Sequence, residues 1–236
     1  MPKLKNRSYQ LELLDAENIP FKDIKTNMKE LNTINTYLGG HAITIAGLKK
    51  LITTYPKNLP LTICEIGCGG GDNLQAVYTY CLHKNIDVHF IGIDIQQNCI
   101  DFAQLQYPYL PVTWLCNDYK KATFLQQPNI IFSSLFCHHF IENDIIQMLL
   151  WMKKNSTLGF FINDLHRHFI AYYSIKIMTT IFSKSYLVKN DAPLSVARGF
   201  KKNEWQQLFT SAAIGSYHLK WKWAFRHLII FVHGNK

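Results

Sequence analysis

One stretch, "LTICEIGCGGGDNL" from Leu61 to Leu74, constrains this chain more than any other. Its first residues are apolar up to Glu65 and read as a buried strand. The residues beyond it, "DNLQAVYTYCLHKN", place Leu74, Val77, Tyr78 and Cys81 on one helical face. Between the two stand Gly67, Gly69 and Gly71, which let the backbone turn sharply and approach a ligand closely. A glycine-rich turn that leads from a strand into a helix is a nucleotide cradle. No Lys-Ser or Lys-Thr follows the glycines, so this is not a phosphate-binding P-loop. The dinucleotide fingerprint is also broken, because its third glycine falls on Asp72.

The same strand-then-helix order recurs downstream. "DVHFIGID", "VTWLCND", "NIIFSSLFCHHF" and "LGFFINDLHRH" read as further strands, with "QQNCIDFAQLQY" and "ENDIIQMLLWMKKN" as helices between them. "SYHLKWKWAFRHLIIFVHG" reads as two strands joined tightly near Ala224, which must be antiparallel because a parallel crossover needs a long connection. The fold expected is α/β: a doubly wound, Rossmann-like sheet of seven strands with the last antiparallel. Residues 1–55 are expected to form a helical arm or lid, with one or two short helices before residue 30 and a helix opening after Gly39-Gly40. Residues 56–236 form the main domain, with an acceptor-binding insertion at about 169–200. In that insertion "FIAYYSIKIMTTIFS" reads as an apolar helix and "KNDAPLSVARGF" as an irregular segment.

The acids identify the ligand. Asp94 ends the second strand, where a carboxylate grips a ribose diol. Asp118 ends the third, where it can accept from an adenine amino group, and Glu65 beside the glycines would repel a pyrophosphate. A cationic ligand with ribose and adenine but no phosphate fits, and S-adenosylmethionine is such a ligand. "EIGCGGGD", "GID", "CND" and "SSLFCHHF", in that order, resemble the four motifs of class I S-adenosylmethionine-dependent methyltransferases, over about residues 32–233. "NDLHRH" and "DAPLSVARGF" are similar to segments of a bacterial subgroup that acts on small molecules, some of them in polyketide or quinone pathways. The resemblance implies a cofactor site made by Glu65, Gly67, the backbone of Cys68, Gly69, Gly71, Asp94, Ile95, Asp118, Tyr119 and Ser134.

His138, His139 and His166 follow strand ends and are the candidate bases, since a histidine titrates near neutral pH. Adjacent side chains on an extended chain point opposite ways, so at most one of His138 and His139 is expected to face the site. Arg167, Tyr172 and Arg198 are the candidate acceptor-binding residues; for Arg198 the alternative is an anchor to Asp191. The apolar and aromatic residues of 169–200 suit an apolar or aromatic acceptor, core packing or a homodimer face. No metal is expected. The expected reaction is methyl transfer to a small acceptor, with oxygen favoured. The alternatives are an RNA methyltransferase and a non-catalytic cofactor-binding module.

Charge and cysteine content fit that reading. The net charge of +9 is scattered in lysine pairs, which disfavours a nucleic-acid partner. Lys220 and Lys222 alternate with Trp221 and Trp223, which places both rings on one face, expected to pack on a helix. None of the six cysteines forms a CxxC pair, so neither a disulfide framework nor a zinc site is expected, and the thiols suit a reducing cytoplasm. Every apolar run is interrupted before the length a bilayer span needs, and residues 1–8 hold no signal-peptide core.

Overall fold

The computed structural model describes residues 4–16, 18–53, 55–56 and 59–234; two residues of the "YPKNLP" breaker, Lys57 and Asn58, lie outside the described residues. Seven strands form one sheet: β1 (Leu61–Ile66), β2 (Val88–Asp94), β3 (Val112–Cys116), β4 (Ile130–Ser134), β5 (Gly159–Leu165), β6 (His218–Lys222) and β7 (Arg226–Val232). Their order is β3-β2-β1-β4-β5-β7-β6. β1 to β5 run parallel, and β7 runs antiparallel to both β5 and β6. The inner strands are covered on both faces, which is why β4 and β5 read as nearly unbroken apolar runs.

Among the described residues the α-helices are α1 (Phe21–Tyr37), α2 (Gly40–Leu51), α3 (Asp72–His83), α4 (Gln97–Gln106), α5 (Glu142–Asn155), α6 (Phe169–Phe182), α7 (Tyr186–Arg198) and α8 (Lys202–Ser211). One face of the sheet packs on Leu48 and Leu51 of α2 and Leu74, Val77 and Cys81 of α3. The other packs on Ile145, Met148 and Met152 of α5 and Trp205 and Phe209 of α8. β1 has β2 on one side and β4 on the other, so the strand order reverses there. A crevice opens at such a reversal, beyond the carboxyl ends of the strands.

Two segments depart from the sequence expectation. "KNDAPLSVARGF" is not irregular: most of it is α7, a helix with Pro193 inside it. The proline removes one backbone donor and argued against a helix. The helix survives because the Ser185 hydroxyl caps it at the Val188 N–H and because Leu187, Val188 and Val196 are buried. The amino-terminal arm is also more regular than expected. Residues 4–12 form a strap without helix or strand, a 3-10 turn spans Leu13–Asp15, and α1 then runs 17 residues.

The strap is tied down by polar groups. The Ser8 N–H donates to the Ala197 carbonyl, and the Asp191 carboxylate accepts from the Leu13 and Leu14 N–H groups at 2.8 and 2.9 Å. Glu30 of α1 accepts from the Lys184 and Ser185 N–H groups, which clasps α1 to the start of α7. Strap, α1 and α7 thus cross the end of the molecule where the crevice opens.

The two tryptophans give a third correction. Trp221 and Trp223 are 50% and 68% exposed on the edge strand β6 and the turn after it, so neither packs on a helix. Five of the six cysteines are buried free thiols, and Cys116 is exposed. Among the described residues no helix is long and apolar enough to cross a membrane.

Candidate functional site

The turn after β1 is pinned to the end of β2. The Gly67 and Cys68 N–H groups both donate to the Ile93 carbonyl, at 2.8 and 3.0 Å. Gly67 has φ +67°, and a β-carbon there would lie 2.2 Å from the Phe136 ring. Gly69 has φ +49°, but a β-carbon there would meet only the Met28 sulfur at 3.8 Å. Gly67 is therefore needed for packing, whereas Gly69 leaves open space beside the backbone. The Gly69 N–H donates to Asp94 Oδ2 at 2.8 Å, and Asp94 Oδ1 accepts from the Gln96 N–H at 2.9 Å. Each oxygen keeps a further lone pair for a ligand hydroxyl.

Glu65 is 1% exposed, and neither of its carboxylate oxygens has a partner among the described residues. Burial, followed by the charges of Asp72 and Asp94, pushes its carboxyl well above the usual range. A cationic ligand relieves both effects. S-adenosylmethionine carries a sulfonium and an ammonium, so the residues present fit it. A second orphan lies nearby in the polar network. Asp72 accepts from His41 Nε2 at 2.7 Å and from Asn35 at 3.0 Å, and Asn35 accepts in turn from Arg226 Nη2 at 3.0 Å. Arg226 Nη1 is buried without a partner, and burial lowers the guanidinium to about 10 despite Asp164 and Asp72.

The remaining residues expected at the cofactor occupy the rim of the crevice. Asp118 caps the 3-10 turn that follows β3, accepting from the Lys120 N–H at 2.9 Å. Ile95 is 70% exposed beyond β2. Tyr119 is buried against Phe136, Phe140 and Trp151. Its hydroxyl has no partner among the described residues. The Ser134 hydroxyl accepts from Asn163 at 3.2 Å. If Asp94 grips the ribose, Asp94→Ala should weaken S-adenosylhomocysteine binding by about 1.5–3 kcal/mol, the worth of charge-assisted bonds. Unchanged affinity by calorimetry with a lowered Tm would make Asp94 a staple of the glycine turn alone.

Beyond β4 the chain passes through Leu135, at φ +54°, into a 3-10 turn over Cys137–His139. The turn corrects the expectation for the histidine pair. Neighbours in a 3-10 turn are not opposed as they are in a strand, and both rings face the strap, with centroids 4.5 Å apart. His138 is held at Nδ1 by Asp164 at 2.7 Å, and its Nε2 lies 3.6 Å from Glu12 Oε1. His139 is held at Nδ1 by Asp15 at 3.1 Å, and its Nε2 lies 3.8 Å from Glu12 Oε2. Burial pulls His139 down, but the bond from Asp15 and the charges of Glu12 and Asp15 outweigh it and raise its pKa.

His166 stands in a different group. It accepts from the Trp221 indole N–H at 3.2 Å, and the His227 and His168 rings lie 4.8 and 5.7 Å from it. Burial and the charges of His168 and Arg167 lower its pKa.

Both arginines read as acceptor ligands are engaged elsewhere. Arg167, 1% exposed, donates to both Glu204 oxygens and to the Gly199, Leu4 and Lys5 carbonyls. Arg198, 3% exposed, donates to the His138, His139 and Gln10 carbonyls and not to Asp191, which binds the strap. Neither has a free face for an acceptor. Tyr172 lines a cavity of about 310 Å³ together with Arg7, Gln10, Asn190, Pro193 and Ala197. Arg7 also donates to the His138 and Phe140 carbonyls, so cavity and histidine turn share a wall.

Glu12 and Asp15 were not anticipated as site residues. They had a signal, as an acid pair three residues apart that follows the basic Lys3, Lys5 and Arg7.

Residues 63–155 match the profile of a family described as a methyltransferase domain. No curated protein matches the chain as a sequence relative. Among solved structures, the plantazolicin methyltransferase BpumL in complex with S-adenosylhomocysteine is similar, with a TM-score of 0.64 at 16% identity over 91% of this chain and 89% of that one. Human N-acetylserotonin methyltransferase in complex with S-adenosylmethionine gives 0.65 at 11% identity, over 92% and 57%. A putative O-methyltransferase from Nostoc punctiforme gives 0.59 at 13% identity, over 86% and 59%. At these identities the likeness is one of fold.

Proposed function

We propose that this S-adenosylmethionine-dependent methyltransferase, whose family match spans residues 63–155, methylates an oxygen of a small aromatic or apolar acceptor. The observation that carries the cofactor half is Glu65, a buried carboxylate with two unpaired oxygens beside a glycine whose missing side chain leaves open space. Glu65 and the unpaired Nη1 of Arg226 suit the ammonium and carboxylate of the cofactor's amino-acid end. Asp94 takes the ribose, and Asp118, Ile95 and Tyr119 border the adenine.

The cofactor supplies an activated methyl group. The protein aligns the acceptor, excludes water and takes up a proton. With the cofactor bound, its methyl would pass from sulfur to the acceptor oxygen, and the acceptor's proton would leave through the Glu12–His138–His139 cluster. That cluster is preferred over His166 because carboxylates hold both Nδ1 atoms, so both Nε2 atoms keep a lone pair for accepting a proton. The strap, α1 and α7 form the lid, and the cavity beside Tyr172, lined also by Arg7, Ser8, Gln10 and Asn190, lies under it. The small-molecule neighbours in fold agree with this choice.

Calorimetry provides the test. S-adenosylhomocysteine should bind in the micromolar range, roughly −8 kcal/mol. Tighter binding of NAD would overturn the reading, and absent turnover with aromatic hydroxyl acceptors, despite cofactor binding, would overturn its acceptor half.

A further inference from the structure

We propose that Glu12, His138 and His139 form a binding site for one divalent transition-metal ion of the zinc class, a site that joins the amino-terminal strap to the histidine turn. The proposal rests on the reading just given and concerns the same cluster: with an ion bound, the Nε2 lone pairs serve as its ligands, and the cluster promotes loss of the acceptor's proton through the ion in place of taking it up on a ring.

The ligand atoms come from distant parts of the chain, which is why no motif spacing announced them. One donor atom from each of the three residues lies within 4.8 Å of the others. Glu12 and His138 are 5% and 2% exposed, so two of the three donors are withdrawn from water. A zinc ion bound tetrahedrally at about 2.0–2.2 Å sets its donors roughly 3.3–3.6 Å apart. The Nε2 atoms of His138 and His139 stand 3.6 and 3.8 Å from the two Glu12 oxygens.

These distances are too long for hydrogen bonds, so no proton bridges Glu12 to either ring. The tautomers lead to the same point. A carboxylate holds each Nδ1, Asp164 for His138 and Asp15 for His139. That leaves each Nε2 facing Glu12 and available to an ion placed between them. A carboxylate on the far nitrogen of a ligating histidine is the usual support of a metal site.

The charges agree. Glu12 itself and the carboxylates of Asp15 and Asp164 that hold the two rings bring three negative charges, Arg198 lies beside Glu12, and Arg7 is paired with Glu142. The surplus of carboxylates suits a divalent cation. Arg198 Nε lies 3.8 Å from Glu12 Oε1 but donates to the His138 carbonyl, and the Ser195 hydroxyl donates to the same Glu12 oxygen at 2.8 Å. Glu12 Oε2 lies 3.8 Å from His139 Nε2 and Oε1 3.6 Å from His138 Nε2, so either oxygen can face the ion. Two nitrogens and one carboxylate oxygen favour Zn2+, Co2+ or Fe2+ over Mg2+ or Ca2+. Three protein donors leave a fourth position open, where an acceptor hydroxyl bound to the ion would ionise near neutral pH, its proton passing to water.

The test is a titration of the full-length protein, freed of metal by dialysis against a chelator, with Co2+ or Zn2+ alone. Co2+ should bind at one equivalent and give the visible absorption of a four-coordinate ion, and Zn2+ should displace it. Glu12→Gln and His139→Ala should each weaken Zn2+ binding by at least about 10²-fold, whereas His166→Ala should leave it unchanged. S-adenosylhomocysteine affinity, measured in parallel, should stay within about twofold in every variant. Absence of one-equivalent binding by the wild-type protein overturns the proposal without recourse to any variant, as does equal binding by Glu12→Gln. Loss of cofactor binding by the wild-type protein would instead overturn the methyltransferase reading, so the two failures are separable.

Discussion

His139→Gln and His138→Gln should each lower turnover by roughly 10²–10⁴-fold at pH 7 while S-adenosylhomocysteine still binds. Glutamine keeps a polar side chain of similar reach and removes the lone pair at Nε2. His139 is the more informative of the two, because its side chain is 20% exposed against 3% for His138. His138 is buried, and its ring and its N–H both bond Asp164, so its replacement also loosens the turn between β4 and α5. Initial rates with an aromatic hydroxyl acceptor, measured from pH 6 to 10, supply the check. Activity should return in part at high pH, where a phenol ionises unaided. His166→Gln should change turnover little, because its ring nitrogen is already engaged by Trp221 and lies in another cluster. If turnover survives in the His138 and His139 variants and falls in the His166 variant, the proton leaves by the β5–β7 edge and the strap is only a cover.

That choice among histidines was not open to the sequence. The sheet was, because its evidence is local: each strand announces itself by an apolar run, and the close pair at the end could only be antiparallel. The glycine turn was legible for the same reason, since Gly67, Cys68, Gly69 and Asp94 sit at two adjacent strand ends and the topology alone brings them together. The polar cluster depends on long-range contacts instead. Glu12 reaches residues 138 and 139 only because the strap folds across the mouth of the crevice, and no periodicity encodes that crossing. The reading of His138 and His139 as opposed side chains assumed that β4 continues through them. The strand ends at Ser134, and Leu135 at positive φ turns the chain into a 3-10 helix. α7 was missed because Pro193 is a local signal against helix, outweighed by buried contacts that a sequence does not show. In each case the local rule was sound and the tertiary packing overrode it.

The two arginines are the sharpest instance, and they lead to the largest expected loss of stability. Glu204→Gln should destabilise the protein by about 3–5 kcal/mol, because it strips the counter-charge from a guanidinium that is almost wholly buried. Arg167 belongs to "NDLHRH", which invited a role at the acceptor. The structure spends all of its donors on Glu204 and on backbone carbonyls of residues 4, 5 and 199. Glutamine would keep hydrogen-bonding atoms near Arg167 and near the Lys201 N–H, which Glu204 also caps at 2.7 Å, so the loss measures charge rather than shape. At about 2–4 °C per kcal/mol for a chain of this length, Tm should fall on the order of 10 °C. If Arg167 were instead an acceptor ligand, Glu204→Gln would raise the acceptor KM and leave Tm near the wild-type value. The expected order of events on heating also differs. Arg167 ties the strap to α8, so the strap should loosen first in the variant and protease cleavage near residues 4–12 should precede global unfolding. Cleavage there at the wild-type rate, together with an unchanged Tm, would return Arg167 to the acceptor site.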